Sequence, residues 1–234
     1  MSTVEQKTNA AAAALEYVED GMTLGLGSGS TAEIFVRLLG ARIEEEGLKV
    51  QGLPTSKETE ALAREVGVPL MPVEHAVTID VTVDGADEVD GRFHLIKGGG
   101  GCLLREKIIA AASDRMVVIC DETKLVETLG RFPLPVEVDP FAFTITAKKV
   151  FDALRRAGVK RPDVNLRRRG DGLEPFVTDG GHYILDCACG EIPEPELADA
   201  ELIDLPGVIE HGLFLDLARV VIVGEDEAAR VMEL

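Results

Sequence analysis

Residues 22–31 of this chain read Met-Thr-Leu-Gly-Leu-Gly-Ser-Gly-Ser-Thr, an apolar run that ends in a turn of glycine and hydroxyl residues. The apolar run at 22–27 predicts a buried strand, and apolar residues at helical spacing over 32–46 predict a helix after the turn. A strand, a turn of small residues and a helix N-terminus favour phosphate binding, because small residues allow close approach and hydroxyls add donors. Residues 27–31 therefore predict a phosphate site.

A dinucleotide site is the alternative at this turn. Gly25 and Gly27 begin the pattern G-x-G-x-x-G, but Ser30 occupies the position of its third glycine. This mismatch counts against a nicotinamide cofactor, and three hydroxyl side chains suit a phosphomonoester better.

A second unusual stretch, residues 97–107, reads Lys-Gly-Gly-Gly-Gly-Cys-Leu-Leu-Arg-Glu-Lys. Consecutive glycines lose much backbone entropy on folding, but their N–H groups can converge to form an anion-binding concavity. The good helix formers at 103–112 predict a helix whose N-terminus also favours negative charge. A cation (Lys97), backbone donors and a carboxylate (Glu106) in one segment suit a reaction that develops an oxyanion. The alternative is a flexible loop between a strand and a helix.

Strands and helices alternate through the first half of the chain. We predict strands at 50–53, 70–73, 77–83 and 116–120, a helix at 3–20 before the first strand and a helix at 56–66. This alternation predicts an α/β fold with a doubly wound, mostly parallel, Rossmann-like sheet, in which ligands bind beyond the carboxyl ends of the strands. Four polar segments follow predicted strands: 28–31, 84–87, 97–101 and 121–124.

The segment Asp84-Gly85-Ala86-Asp87 places two carboxylates three residues apart at the end of an apolar strand. It does not match a calcium-binding EF-hand loop, because Ala86 and Val89 occupy positions that such a loop requires for a ligand and a glycine. Glu88 and Asp90, which follow, are expected in a solvated turn.

The character of the chain changes after residue 131. Strands at 136–138, 183–187 and 208–214 and helices at 145–157 and 195–203 suggest a ferredoxin-like α+β domain of β-α-β-β-α-β order. A buried strand at 220–223 is expected to return to the first sheet, which makes the small domain an insertion. We therefore predict a catalytic domain of residues 1–131 and 216–234 and a small domain of residues 132–215 with a role in oligomerisation. Arg167-Arg168-Arg169 is interpreted as a solvated turn or a subunit contact.

Composition excludes several classes of partner. The 234 residues are 46% hydrophobic and 28% charged, with a formal net charge of −18, so a nucleic-acid partner is not expected. Apolar stretches long enough to span a bilayer are absent from the sequence, so no membrane partner is expected. The four cysteines lack the spacing of a zinc site, and we predict no metal and a reduced, cytoplasmic protein.

Taken together, the motifs resemble type A ribose-5-phosphate isomerase over essentially the whole chain. They are Gly-Ser-Gly-Ser-Thr at 27–31, Asp-Gly-Ala-Asp-Glu at 84–88, Lys-Gly-Gly-Gly-Gly at 97–101, Leu-Arg-Glu-Lys at 104–107 and Phe-Pro-Leu-Pro-Val-Glu-Val at 132–138. The resemblance implies interconversion of ribose 5-phosphate and ribulose 5-phosphate without a metal or organic cofactor. Ser28, where many relatives have Thr, keeps the hydroxyl; Cys102 and Leu104 also depart from residues common in the family.

The resemblance also implies a role for individual residues. Glu106 would be the general base, Lys97 would stabilise the enediolate, and Asp84 and Asp87 would handle hydroxyl protons and ring opening. The residues implied to bind substrate are Lys7, Ser28, Gly29, Ser30, Thr31, Asp84, Gly85, Ala86, Asp87, Lys97, Gly98, Gly99, Gly100 and Lys124.

Alternatives from other functional classes remain at this stage. One is another enzyme of similar fold, either a sugar-phosphate isomerase/deaminase or a CoA transferase. The other is a non-catalytic sugar-phosphate sensor, although the chain keeps both carboxylates and Glu106 and has no spare N-terminal DNA-binding module. A homodimer or a homotetramer is expected, and the sequence does not choose between them.

Overall fold

The computed structural model describes residues 3–170 and 172–234 of the chain. These residues form two compact units: the first contains the chain up to Ala86, Arg105–Leu125 and Asp216–Leu234, and the second contains Asp87–Leu104 and Val126–Leu215. The domain ranges expected from sequence share the boundary after residue 215. They differ in placing 87–104 and 126–131 in the first domain.

Six helices and thirteen strands make up the regular structure of the described residues. The helices are α1 (Thr3–Ala14), α2 (Ser30–Glu46), α3 (Lys57–Glu65), α4 (Leu103–Ala111), α5 (Phe143–Arg156) and α6 (Pro195–Ile203). The strands are β1 (Thr23–Leu26), β2 (Gln51–Pro54), β3 (Ile79–Asp84), β4 (Glu88–Val89), β5 (Leu95–Ile96), β6 (Ser113–Asp121), β7 (Leu134–Val138), β8 (Asp163–Leu166), β9 (Tyr183–Ala188), β10 (Val208–His211), β11 (Leu213–Phe214), β12 (Ala218–Gly224) and β13 (Ala229–Glu233).

The first unit is built on a six-stranded sheet of order β13-β12-β6-β3-β1-β2. All pairs are parallel except β12 with β13. From β1 the chain adds β2 on one side of the sheet and β3 on the other, so the strand order reverses between β1 and β3. A ligand site is expected beyond the carboxyl ends of these two strands. The doubly wound, mostly parallel sheet predicted from sequence is therefore confirmed, and its switch point lies at the ends of β1 and β3.

Both faces of this sheet are covered by helices. Leu24 and Leu26 of β1 pack in one buried cluster with residues of α1 and α2, including Phe35 and Leu39. On the opposite face, a side chain at Gly25 would lie 2.0 Å from Thr82 Oγ1 of β3 and 2.6 Å from Ile109 of α4. Glycine is therefore required in β1 because Thr82 and α4 leave no room for a side chain.

The expected strand at 70–73 does not form. Leu70 makes a single parallel bridge with Gly52, and Val73–His75 is a turn of 3₁₀-helix. Pro69 and Pro72 flank the bridge, and proline has no N–H with which to continue a ladder. The strand prediction was wrong because it followed apolar content and overlooked these two prolines.

Two helix boundaries also differ from the sequence-based expectation. The first helix ends at Ala14, and Leu15–Tyr17 form a 3₁₀ turn, whereas we expected a helix to residue 20. Helix α2 begins at Ser30, so Ser30 and Thr31 lie in its first turn, where their N–H groups have no intrahelical acceptor.

The second unit contains an antiparallel sheet of order β10-β7-β9-β8. Chain order β7-α5-β8-β9-α6-β10 confirms the ferredoxin-like arrangement, with β8 as a strand that the sequence analysis did not locate. The expected single strand at 208–214 is two strands in different sheets, β10 and β11. They separate at Gly212, whose N–H donates to Pro135 O while its O accepts from Lys97 N–H.

Glu88 is buried, which contradicts the expectation of a solvated turn. It lies in β4 with 1% of its surface exposed, and its carboxylate accepts hydrogen bonds from the N–H groups of Gly130 and Phe132, each 2.7 Å long. Asp90 does lie beside a turn, where it accepts from Arg92 N–H and His94 N–H. Glu88 is therefore a structural carboxylate that holds residues 130–132 within the second unit.

Candidate active site

In the first unit, the loop of residues 27–31, here called the hydroxyl loop, follows β1. Ser28 N–H donates to Asp84 Oδ1 over 3.1 Å, which ties this loop to the end of β3. A side chain at Gly27 would lie 2.2 Å from the same oxygen. Glycine is therefore needed at position 27 so that the two strand ends can approach.

Neighbouring hydroxyls hold the side chain of Ser28. Its Oγ lies 2.7 Å from Thr55 Oγ1 and 3.2 Å from Thr59 Oγ1. Thr59 also donates to Gly27 O, and Ser56 caps α3 by accepting from Thr59 N–H. The sequence analysis missed Thr55 and Thr59, although Thr55-Ser56 at the end of a predicted strand was a usable signal.

Lys7 of α1 reaches the hydroxyl loop. Its Nζ donates to Ser30 Oγ over 2.9 Å, at the N-terminus of α2. A lysine, a hydroxyl and a helix N-terminus at one place favour a phosphate group. In the sequence analysis, only the family resemblance implied a role for Lys7. The structure places Lys7 against the hydroxyl loop.

Asp84 and Glu106 are buried carboxylates of the first unit. Asp84 is 0% exposed at the end of β3, and its Oδ1 also accepts from Gly85 N–H over 2.7 Å. Glu106 is 4% exposed in the first turn of α4. Lys124 is half-buried at the end of a 3₁₀ turn after β6, the strand next to β3.

In the second unit, the loop of residues 97–101, here called the glycine loop, follows β5. Lys97 is 3% exposed, and its Nζ lies 5.5 Å from the centre of the Phe214 ring. Gly101 N–H donates to Gly98 O over 3.0 Å, and both glycines have a positive φ, of 85° and 101°. These φ values favour glycine because a side chain would strain the backbone.

Asp87 contacts the glycine loop directly. Its Oδ2 accepts from Gly99 N–H over 2.7 Å, and a side chain at Gly99 would lie 2.6 Å from Oδ1. The second unit thus brings Asp87, Lys97 and the glycine backbone together. The first unit brings Lys7, Ser28, Ser30 and Asp84 together.

The position of Arg167 differs from the one expected from sequence. Arg167 lies not in a solvated turn but against the glycine loop, where its Nη1 donates to Gly98 O over 2.9 Å and to Gly99 O over 3.1 Å. Its two neighbours, Arg168 and Arg169, are exposed as expected. The contact with the loop joins positions 69 residues apart, so local sequence held no signal for it.

The described residues contain neither a metal-binding cluster nor a membrane-spanning helix. Within residues 3–170 and 172–234, no group of three or more His, Cys, Asp or Glu side chains is arranged to hold a metal ion. None of the helices in this part of the chain combines the length and hydrophobicity needed to span a bilayer.

Comparison with known proteins identifies relatives over the full length. The family model of ribose 5-phosphate isomerase A (phosphoriboisomerase A) matches residues 51–228. Ribose-5-phosphate isomerase A of Maricaulis maris is 68% identical over 234 residues, which are 100% of both chains. The enzyme of that name from Sinorhizobium fredii is 52% identical over 232 residues, 99% of each chain.

Solved structures agree with this assignment. A D-ribose-5-phosphate isomerase in complex with phospho-erythronic acid matches with a TM-score of 0.92 and 38% identity, over 100% of both chains. Ribose 5-phosphate isomerase A from Methanocaldococcus jannaschii matches with a TM-score of 0.90 and 39% identity, also over 100% of both chains. These matches do not favour the alternatives of a sensor, a deaminase or a CoA transferase. The chain therefore belongs to the ribose 5-phosphate isomerase A family and is an isomerase.

Proposed function

We propose that this chain interconverts D-ribose 5-phosphate and D-ribulose 5-phosphate through an enediolate, in the non-oxidative pentose phosphate pathway and without a metal or organic cofactor. The reaction is an aldose–ketose isomerisation. One observation supports this assignment above the others: the glycine loop, with the buried Lys97 at its start, leads directly into the helix that bears the buried Glu106.

Glu106 is the general base. Its carboxylate removes the proton from C2 of the open-chain aldose, which leaves an enediolate, and the same group returns a proton to C1 to give the ketose. A carboxylate is a modest base, so the negative charge that develops on the substrate oxygens must be stabilised strongly. Lys97 and the backbone of residues 98–100 supply that stabilisation, with Gly99 N–H bonded to Asp87.

The hydroxyl loop binds the phosphate. Ser28, Gly29, Ser30 and Thr31 provide hydroxyls and N–H groups at the start of α2, and Lys7 contacts Ser30. Lys124, after β6, adds a further cation. These cations and donors favour a phosphorylated sugar over a free one.

Asp84 and Asp87 handle hydroxyl protons, and one of them opens the sugar ring. Both lie in the segment that also contains Gly85 and Ala86. Asp84 is fully buried and holds the hydroxyl loop, whereas Asp87 is half-buried beside the glycine loop. Asp87 is therefore the better candidate for the ring proton.

The compound bound to a solved relative supports this scheme. Phospho-erythronic acid contains a planar carboxylate on a phosphorylated polyol, and a carboxylate resembles an enediolate in shape and charge. A site built for the enediolate is expected to bind such a compound more tightly than the substrate.

The proposal extends to the oligomeric state of the protein and to its location in the cell. We infer a cytoplasmic homodimer or homotetramer in which the α+β domain of residues 132–215 contributes to the interface. Phe141 and Ile145 support this, because they are 85% and 62% exposed and line one cavity of the second unit. Light scattering on the purified protein measures the assembly.

The test is conversion of ribose 5-phosphate to ribulose 5-phosphate after exhaustive treatment with a chelator. We expect full activity, and negligible activity with free ribose. Activity that disappears and returns only with a divalent cation would contradict the cofactor assignment. Binding of the sugar phosphate without turnover would favour the sensor instead.

A further inference from the structure

Arg167 of the second unit is held in a fixed position. Its Nε and Nη2 donate to the two carboxylate oxygens of Asp186 over 2.9 and 2.5 Å, a bidentate pair. Its guanidinium lies 5.9 Å from the centre of the Phe176 ring. Only 13% of the Arg167 side chain is exposed. A paired, stacked and mostly buried guanidinium points its remaining nitrogen in one direction.

That remaining nitrogen, Nη1, donates to two successive carbonyls of the glycine loop, Gly98 O and Gly99 O. A trans peptide directs its C=O and its N–H to opposite sides. Fixing Gly98 O therefore aims Gly99 N–H away from Arg167, and Asp87 Oδ2 accepts that N–H over 2.7 Å. The peptide between Gly98 and Gly99 is thus held by two ionisable side chains: Arg167 donates to its C=O, and Asp87 accepts from its N–H.

The next peptide follows the same rule. Because Gly99 O is bonded to Arg167, Gly100 N–H is directed to the side opposite Arg167. Gly98 O also accepts the turn hydrogen bond from Gly101 N–H, whereas among the described contacts Gly99 O is held by Arg167 alone. Because glycines have wide conformational freedom, the peptide between Gly99 and Gly100 depends most on Arg167. Oxyanion donors are effective only when their direction is fixed before the reaction.

We propose that Arg167 is a positioning residue that fixes the peptides of residues 98–100. Gly99 N–H is thereby directed to Asp87, and Gly100 N–H faces the developing oxyanion. This inference rests on the proposed function. Asp186 and Phe176 act one step further away, since they hold the guanidinium in place.

Arg167→Lys is the direct test, with Arg168→Lys as the matched control. Lysine keeps the charge but cannot pair with Asp186 at two points and reach two carbonyls at once. Arg168 is exposed and bonds only the local Leu173 carbonyl among the contacts described, so the same change there should leave kcat unchanged. We expect kcat of Arg167→Lys to fall about 10-fold to 100-fold, below or near the loss for removing one oxyanion donor.

Two inhibitors separate positioning from general structural damage. Phospho-erythronic acid presents a planar anion to the site, whereas ribitol 5-phosphate has the phosphate and hydroxyls but no such anion. The inhibition constant of phospho-erythronic acid should rise in step with the loss of kcat. For ribitol 5-phosphate, and for KM, we expect a change below about 3-fold, because uniform binding is unaffected.

The outcomes are distinct. A kcat of Arg167→Lys within about 2-fold of the unmodified chain, or equal weakening of both inhibitors, would overturn the inference. Asp186→Asn, which keeps Arg167 but weakens its anchor, provides a second variant if Arg167→Lys does not fold, and it should show the same inhibitor pattern. Lack of isomerase activity in the unmodified chain would instead overturn the proposed function.

Discussion

The hydroxyl loop and the glycine loop are held by different kinds of contact. In the hydroxyl loop, neutral hydroxyls hold the side chain of Ser28, as in the 2.7 Å contact between Ser28 Oγ and Thr55 Oγ1, and Asp84 is the one carboxylate described that accepts its N–H. Charged groups fix the glycine loop: Asp87 accepts one of its N–H groups and Arg167 donates to two of its carbonyls. Hydrogen bonds to charged groups are about twice as strong as those between neutral groups.

The difference corresponds to the proposed tasks. A phosphate keeps its charge throughout the reaction, so the loop that binds it must mainly offer donors. An enediolate exists only briefly, so the loop that stabilises it must have its peptides oriented beforehand. Changes near the glycine loop should therefore lower kcat, and changes near the hydroxyl loop should raise KM.

The largest effect is expected at Glu106, in the helix that follows the glycine loop. Glu106→Gln keeps the size of the side chain and removes the proposed base, so kcat should fall at least about 10²-fold with the fold retained. Exchange of the substrate C2 proton with solvent should slow in parallel. If Glu106 only favoured the helix N-terminus, worth about 0.3–1 kcal/mol, the melting temperature would drop while turnover stayed nearly normal.

Asp87→Asn should give the next largest effect, about 10-fold to 100-fold in kcat on ribose 5-phosphate. Erythrose 4-phosphate provides the comparison, because the phosphate on its O4 prevents furanose closure. Loss of ring opening impairs the cyclic substrate more than this open-chain one. Asp84→Asn, which weakens the anchor of Ser28, should mainly raise KM. Equal losses on both sugars for Asp87→Asn would remove it from ring opening.

Lys124→Ala tests whether Lys124 contributes to phosphate binding. Removing one cation should raise KM for ribose 5-phosphate about 10-fold, with a smaller loss of kcat, because the phosphate is remote from the reacting carbons. Lys49→Ala, at an exposed lysine of the same unit, is the control. A loss confined to kcat would assign Lys124 to the chemistry rather than to the phosphate.

The last expected effect concerns stability rather than turnover. Burial raises the pKa of Cys120 in β6 to about 12, from 9.0, so the folded state favours the neutral thiol. This contribution is present below pH 9 and is lost as the pH rises toward 12, by about 1.4 kcal/mol per pH unit. In urea unfolding from pH 8 to 10.5, Cys120→Ala should lose stability less steeply than the unmodified chain. Parallel curves would contradict the shift.

Features that depend on nearby residues could be predicted from the sequence. The turn after β1, the helix with Glu106 and the mostly parallel sheet follow from apolar periodicity, glycine placement and the alternation of strands with helices. Strand β13 was missed because it is an edge strand with mixed polarity, whose pairing comes from β12. Edge strands of this kind lack the apolar pattern that predicts buried ones.

The predictions for Glu88 and Arg167 were wrong because they, too, relied on local sequence. Glu88 was expected in a solvated turn, and Arg167 in a solvated turn or a subunit contact, because charged residues in loops usually are exposed. Each is instead held by partners far along the chain, 42 residues from Glu88 to Gly130 and 69 residues from Arg167 to Gly98. Such pairing becomes visible only when the fold brings the segments together.

Gly212 has a consequence for the tolerance of the chain to mutation. A side chain there would lie 2.2 Å from Lys97 O, and that backbone atom belongs to the residue proposed to stabilise the enediolate. Saturation mutagenesis should thus find position 212 nearly as intolerant as position 97, although Gly212 has no reactive group. In a selection for growth, even alanine at this position should be depleted, and the depletion would mark a residue that matters for the space it leaves open.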